Sequence, residues 1–184
     1  MTIQKLLLQC AAIAMMAAPV SWCGVIQFSP SNTKIPVGAS FTVDVTVDSV
    51  FDLYAIQFDL TYDPAVIAAN SVTEGDFLLL AGATVFDGGT IDNTNGTISL
   101  IFDTLSSAIS GSSGTGVLAT FSFTALGGGD SPLQLANLTA LDSSFNDVTL
   151  MPAAGLVSVT PEPATWLLAA FALAAICRGR SVNA

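Results

Sequence analysis

The amino-acid sequence predicts an all-β protein built as two packed sheets, and three observations carry that expectation. Apolar and polar residues alternate with a period of two in several separate stretches. Clusters of Gly, Asn, Asp and Pro stand between those stretches. No segment between the two apolar ends of the chain repeats with helical periodicity. A strand with one polar and one apolar face must bury the apolar face against a second layer, so many such strands imply a sandwich.

The rows can be taken in order. Phe41, Val43, Val45 and Val47 alternate with Thr42, Asp44, Thr46 and Asp48. Tyr54, Ile56, Phe58, Leu60 and Tyr62 repeat the pattern, with Gln57, Asp59 and Thr61 facing outward. Ile98, Leu100 and Phe102 form a third row, and Val117, Ala119, Phe121 and Phe123 a fourth. Weaker strands are expected at residues 25–29, 66–74, 84–86, 133–141 and 156–159, giving about nine strands in all. Turn chemistry falls at Pro36-Val37-Gly38, Asp63-Pro64, Asp87-Gly88-Gly89, residues 93–96 and residues 127–130. Residues 111–116, rich in Gly and Ser, are expected to form a flexible loop.

Both ends of the 184-residue chain are apolar. Lys5 precedes an apolar run over residues 6–18, broken only by Gln9, and Pro19 stops it. With small residues at Ser21 and Cys23, residues 1–23 read as a secretory signal peptide, too short to span a bilayer. Trp22 is too bulky to precede a lipid-modified cysteine. At the other end, Pro161-Glu162-Pro163 and Trp166 lead into an apolar segment to Cys177, then Arg178 and Arg180. Pro163 suits the first turn of a helix. A helix from Pro163 to Arg180 would rise about 27 Å, close to the hydrocarbon thickness of a membrane. Arg178 and Arg180 can snorkel to one interface and Trp166 can sit at the other, which puts the C-terminus in the cytoplasm. The expected plan is therefore a signal helix at 1–23, a β-domain at 25–159 and a tail at 160–184 with a transmembrane helix over about 164–177.

Composition narrows the function. Between the ends, Lys34 is the only basic residue against thirteen Asp and Glu, a surface that repels phosphate backbones and excludes nucleic-acid binding. The chain has no histidine, and its three cysteines, Cys10, Cys23 and Cys177, all belong to the ends. Nothing in the domain can activate a serine or threonine nucleophile in the usual way. Asp44, Asp48, Asp59 and Asp103 lie on the polar phase of their rows, as on a solvated sheet face. A catalytic residue is not expected. Two oxygen-rich segments are candidates for Ca²⁺: Asp87, Asp92, Asn93 and Asn95 in one, and Asp142, Asn146 and Asp147 in the other. Neither has the EF-hand spacing, and turn capping is the competing role for the same residues. Both tryptophans belong to the ends, so sugar-stacking platforms reduce to Phe51, Phe77 and Phe145 on expected loops.

Two resemblances add to this. The order Pro161-Glu162-Pro163, short apolar helix and terminal arginines resembles the PEP-CTERM sorting signal of Gram-negative bacteria. That resemblance implies recognition and processing by an exosortase, with delivery to the cell surface or an extracellular polysaccharide matrix. The domain shows Val37-Gly-Ala-Ser-Phe-Thr-Val-Asp-Val45, then Leu53-Tyr-Ala-Ile-Gln-Phe-Asp-Leu-Thr-Tyr-Asp-Pro-Ala-Val-Ile67. Gly116-Val-Leu-Ala-Thr-Phe-Ser-Phe-Thr124 and Leu138-Thr-Ala-Leu-Asp142 follow. In order and spacing these resemble a cohesin domain, a jelly-roll sandwich related to carbohydrate-binding modules. The resemblance implies non-catalytic adhesion, with a dockerin-like domain or a polysaccharide as ligand, and it carries over no contact residue.

Overall fold

The computed structural model describes residues 24–107 and 110–161. Eleven strands follow one another: β1 Gly24–Ser29, β2 Asn32–Pro36, β3 Ser40–Thr61, β4 Ile67–Glu74, β5 Thr84–Asp87 and β6 Thr90–Asp92. Then come β7 Thr97–Leu105, β8 Ser112–Ala125, β9 Gly129–Asp142, β10 Leu150–Pro152 and β11 Gly155–Thr160. Among the described residues there is no helix. The expectations for residues 1–23, and for Glu162, Pro163, Trp166, Arg178 and Arg180 in the tail, lie outside the described residues.

The two rows expected as separate strands are one strand of 22 residues, β3. Its first half pairs with β1 and β8, and its second half with β7 and β9. Between the halves Ser49 and Asp52 adopt left-handed φ of 56° and 55°, and the ladder with β8 shifts register twice. Such bulges turn a strand. β3 thereby passes from one sheet to the other, and the hydrogen bonding follows it. One sheet runs β10-β1-β3-β8-β4; the other runs from β5 and β6 through β7, β3 and β9. The first half of β9 carries β11, which pairs in parallel with β2.

The corner also accounts for residues 111–116, which are not a loop. Ser112, Gly114 and Gly116 pair with Leu53, Val50 and Val47, so β8 starts inside that segment. Side chains stitch it down: Asp52 N–H donates to Ser113 Oγ at 2.9 Å and Gly111 N–H to Asp52 Oδ1 at 2.6 Å. The short strands β2, β6 and β10 had too few apolar residues to register as strands in the sequence.

The core lies between the sheets. Val43, Val45, Val47, Phe121 and Phe123 come from one, and Ile56, Phe58, Leu60, Ile98 and Ile101 from the other, all buried. Phe121 sits at its centre, with ring centroids 6.4 Å from Phe58 and 6.4 Å from Phe123. Phe123 in turn meets Tyr62 edge-on at 5.5 Å.

Candidate binding face

The third expected row, Ile98, Leu100 and Phe102, needs correction, and the correction defines the site. Ile98 is buried, but Leu100 is 61 % exposed with φ of 60°, and Ile101 is buried instead. A bulge at Leu100 exchanges the two faces of β7, because a one-residue slip inverts every side chain after it. Phe102 therefore turns outward, and Asp103, expected on the solvated phase, turns inward beside Ile101 and Leu105. Leu100, Ile101 and Phe102 are consecutive apolar residues, so either phase satisfied the sequence pattern.

Asp59 on β3 holds the bulge. Its Oδ1 accepts the Leu100 N–H at 2.8 Å, and its Oδ2 accepts Asn137 Nδ2–H at 2.6 Å. Asn137 also has a left-handed φ, 50°, and the β3–β9 register slips between Gln57 and Asp59. One carboxylate thus bridges irregularities on both neighbouring strands. Next to it the outer face of β7, β3 and β9 forms a shallow hollow of about 260 Å³. Ala55, Ile56 and Gln57 line it from β3, Phe102, Asp103 and Thr104 from β7, and Thr139 and Leu141 from β9. Most of these are apolar, hydroxyl-bearing or amide groups, suited to a complementary protein surface, and Asp103 is the one ionisable residue among them. An Asp59→Ala variant should lose about 1–2 kcal/mol of stability by chemical denaturation, because two charge-assisted hydrogen bonds go. A loss below a few tenths would show that the bulges hold themselves.

Asp103 is 4 % exposed, and its Oδ1 has no hydrogen-bond partner. Burial, followed by the nearby Glu74 carboxylate, pushes its pKa up to about 7. Glu74 comes from β4 in the opposite sheet and accepts a hydrogen bond from Thr84 Oγ1 of β5. The two acids therefore come from opposite sheets, and the negative charge of Glu74 acts on Asp103.

Of the Ca²⁺ candidates, Asp87, Asp92 and Asp142 serve as turn caps. Asp87 Oδ1 accepts Gly89 N–H at 2.9 Å. Asp92 accepts Thr94 N–H, Asn95 N–H and Asn95 Nδ2–H, which hold its carboxyl below its ordinary value. Asn93 Oδ1 accepts the Tyr62 hydroxyl at 2.7 Å and Ala69 N–H at 2.8 Å, joining two loops. Asp142 accepts Asn146 Nδ2–H and the backbone N–H groups of Asn146 and Ser144, with the same lowering effect. Asp147 is exposed and borders a polar hollow with Asp52, Asp142 and Phe51. Among the described residues no three His, Cys, Asp or Glu side chains gather as a metal group. Of the aromatic candidates, Phe51 and Phe145 are exposed, whereas Phe77 is buried against Gly116. Phe145 packs edge-on to Tyr54 at 5.6 Å and so does not stand alone. Pro161 is exposed just beyond β11, against Gly128.

Two bulged sheets packed face to face, with a hollow on the outer face of β7, β3 and β9, define a β-sandwich scaffold. The chain belongs to the cohesin family: residues 26–158 match the Cohesin domain. Its fold is similar to a non-cellulosomal cohesin of the archaeon Archaeoglobus fulgidus, with 17 % identity, TM-score 0.59 and coverage of 75 % of this chain and 91 % of that one. It is also similar to the cohesin CaCohA2 of Clostridium acetobutylicum, with 22 % identity, TM-score 0.61 and coverage of 76 % and 92 %. A third likeness is to a chain of the type I Coh-OlpA–Doc918 cohesin–dockerin complex of Clostridium thermocellum, with 18 % identity, TM-score 0.63 and coverage of 75 % and 99 %. A comparison with curated proteins found no match.

Proposed function

We propose that this chain is an exported, non-catalytic adhesion module that holds a protein partner of dockerin type on its β7-β3-β9 face. The observation that carries the reading is the outward set of Leu100, Phe102 and Leu141, fixed by the Asp59 clamp on an otherwise uncovered sheet. Family membership supports it, as does the similarity to a cohesin solved in complex with a dockerin. The signal-like segment at 1–23 supports export. The tail supports delivery: Pro161-Glu162-Pro163, the apolar segment and the arginines would be read by an exosortase at the membrane and processed. The module then stays at the cell surface or in an extracellular polysaccharide matrix.

Two experiments test this. Mass spectrometry of the mature protein from the native host should show a chain that ends near Pro163; an intact C-terminus in secreted material removes the sorting step. A pull-down with residues 24–161 from the same host should recover a dockerin-like protein, and recovery should fall at least tenfold with Phe102→Asp. A glycan array positive with both forms would instead assign the module to polysaccharide through another surface.

A further inference from the structure

Two carboxylates enter the space between the sheets at one edge of the sandwich. β4 ends one sheet and pairs with β8, while β5 ends the other and pairs with β7. Register fixes where their side chains point, because directly opposed residues of a ladder share a face. Glu74 stands opposite Ala119 and Val72 opposite Phe121, and both partners are buried, so Glu74 points inward from β4. Asp103 stands opposite buried Ile56, and Thr84 opposite buried Leu105, so both point inward from the other sheet. Thr84 Oγ1 donates to Glu74 Oε1, which draws the Glu74 carboxylate onto β5. On that inner face Thr84 and Asp103 are diagonal neighbours, roughly 7–8 Å apart by ladder geometry. The Glu74 carboxylate therefore lies within a side chain's reach of Asp103, and its charge acts there.

Among the described residues no basic side chain serves this pair. Lys34 is the only Lys, Arg or His there, and it is exposed on β2, whose ladder partner is β11. Asp103 is 4 % exposed, and its Oδ1 has no hydrogen-bond partner. Buried polar atoms in folded proteins are paired, and a buried charge beside a like charge is costly unless something compensates both. A water molecule would satisfy the oxygen and leave the repulsion. A cation removes both defects together. Glu74 and Thr84 are half-buried, so the edge stays open for an ion that keeps part of its water shell. Two carboxylates and a hydroxyl on separate strands impose no octahedron, which favours Ca²⁺, with its irregular shell of about six to eight oxygens, over Mg²⁺.

We infer that Asp103, Glu74 and Thr84 form a Ca²⁺ site that ties β4 of one sheet to β5 and β7 of the other. Asp103 lies between Phe102 and Thr104 on β7, so the ion sits behind the hollowed face and braces it from within. The site is separate from Asp87, Asp92 and Asp142, whose carboxylates accept the N–H groups of their own turns. Ionised Asp103 without the ion destabilises the edge, and bound Ca²⁺ offsets that cost.

The test uses residues 24–161, which contain every strand of both sheets, stripped with a chelator and held at pH 8 in sodium chloride. Calcium chloride at about 5 mM should raise the thermal midpoint by about 5 °C or more. Titration calorimetry should count one Ca²⁺ per chain. Asp103→Asn and Glu74→Gln should each weaken that binding about tenfold or more, because each removes a charged ligand. Asp92→Asn and Asp142→Asn, in turns elsewhere, should leave it unchanged. An unmoved midpoint with no heat of binding overturns the inference and leaves a proton as the only partner of the two acids. Binding that survives both Asp103→Asn and Glu74→Gln overturns it as well, since the ion then sits elsewhere.

Discussion

Raising the pH from 5 to 8 should lower the stability of this domain by about 2 kcal/mol, and Asp103→Asn should abolish the loss. Asp103 is buried on the inner phase of β7, and its pKa stands at about 7 against an ordinary 3.8. The sign follows from the proton count. Between about pH 4 and pH 7 the folded state holds a proton on this carboxyl that the unfolded chain has released. Stability associated with that proton is fully present at or below the unfolded pKa and is lost as pH rises through 7. The full shift corresponds to roughly 4 kcal/mol, which solvent and structural relaxation near Glu74 and the sandwich edge reduce to about half. Asp48, Asp92 and Asp142 act in the opposite sense. Hydrogen bonds from Thr115, Asn95 and Asn146 lead the lowering of their pKa values, so their contribution disappears as pH falls below the ordinary carboxylate range. Stability should therefore peak between about pH 4 and 6. Urea midpoints at pH 5, 6, 7 and 8 measure this; a flat or rising profile for the parent protein would contradict the burial of Asp103.

A Phe121→Ala variant should lose about 3–5 kcal/mol and unfold roughly 10–15 °C lower. Phe121 is 1 % exposed and touches aromatic rings from both sheets, so truncation opens a cavity that neither sheet can close alone. The described residues contain no cysteine, so hydrophobic packing between the sheets carries the fold without covalent help. Phe145→Ala supplies the contrast. Its ring is 70 % exposed with one edge contact to Tyr54, and its loss should cost under about 1 kcal/mol. Comparable losses for the two variants would mean that the two-sheet core is misassigned.

Much of this fold was legible in the amino-acid order. The rows 41–47 and 119–123 have one polar and one apolar phase each, and both became paired strands of one sheet, whereas at the start of the expected fourth row a register slip buries Leu118 and leaves Val117 half-buried. The turns at Asp63, Asp87 and residues 93–96 carry Asp, Asn and Gly because those side chains cap their own backbone, and they do so here. What escaped was set by backbone irregularity. A bulge has no composition of its own: Leu100 is a leucine with φ of 60°, and nothing in Ile98-Ser99-Leu100-Ile101-Phe102 says which of three adjacent apolar residues yields. The site lay at that bulge, so Phe102 was assigned to the core and Asp103 to solvent, and both assignments were inverted together. The corner at Ser49 and Asp52 was hidden for the same reason, since two separate rows read more simply than one strand serving two sheets. Asp59 shows what could have been noticed: a carboxylate in mid-row needs a partner on the face it shares with its neighbours.

The most direct measurement is photo-crosslinking in the native host, with a crosslinking amino acid at Gln57 on the hollowed face or at Thr42 on the outer side of the other sheet. Both positions are exposed. The account predicts a discrete protein adduct from Gln57, none from Thr42, and loss of the Gln57 adduct when Leu100→Arg is added. An adduct from Thr42 alone, or one from Gln57 that Leu100→Arg leaves intact, would contradict the assignment of the β7-β3-β9 face as the binding surface.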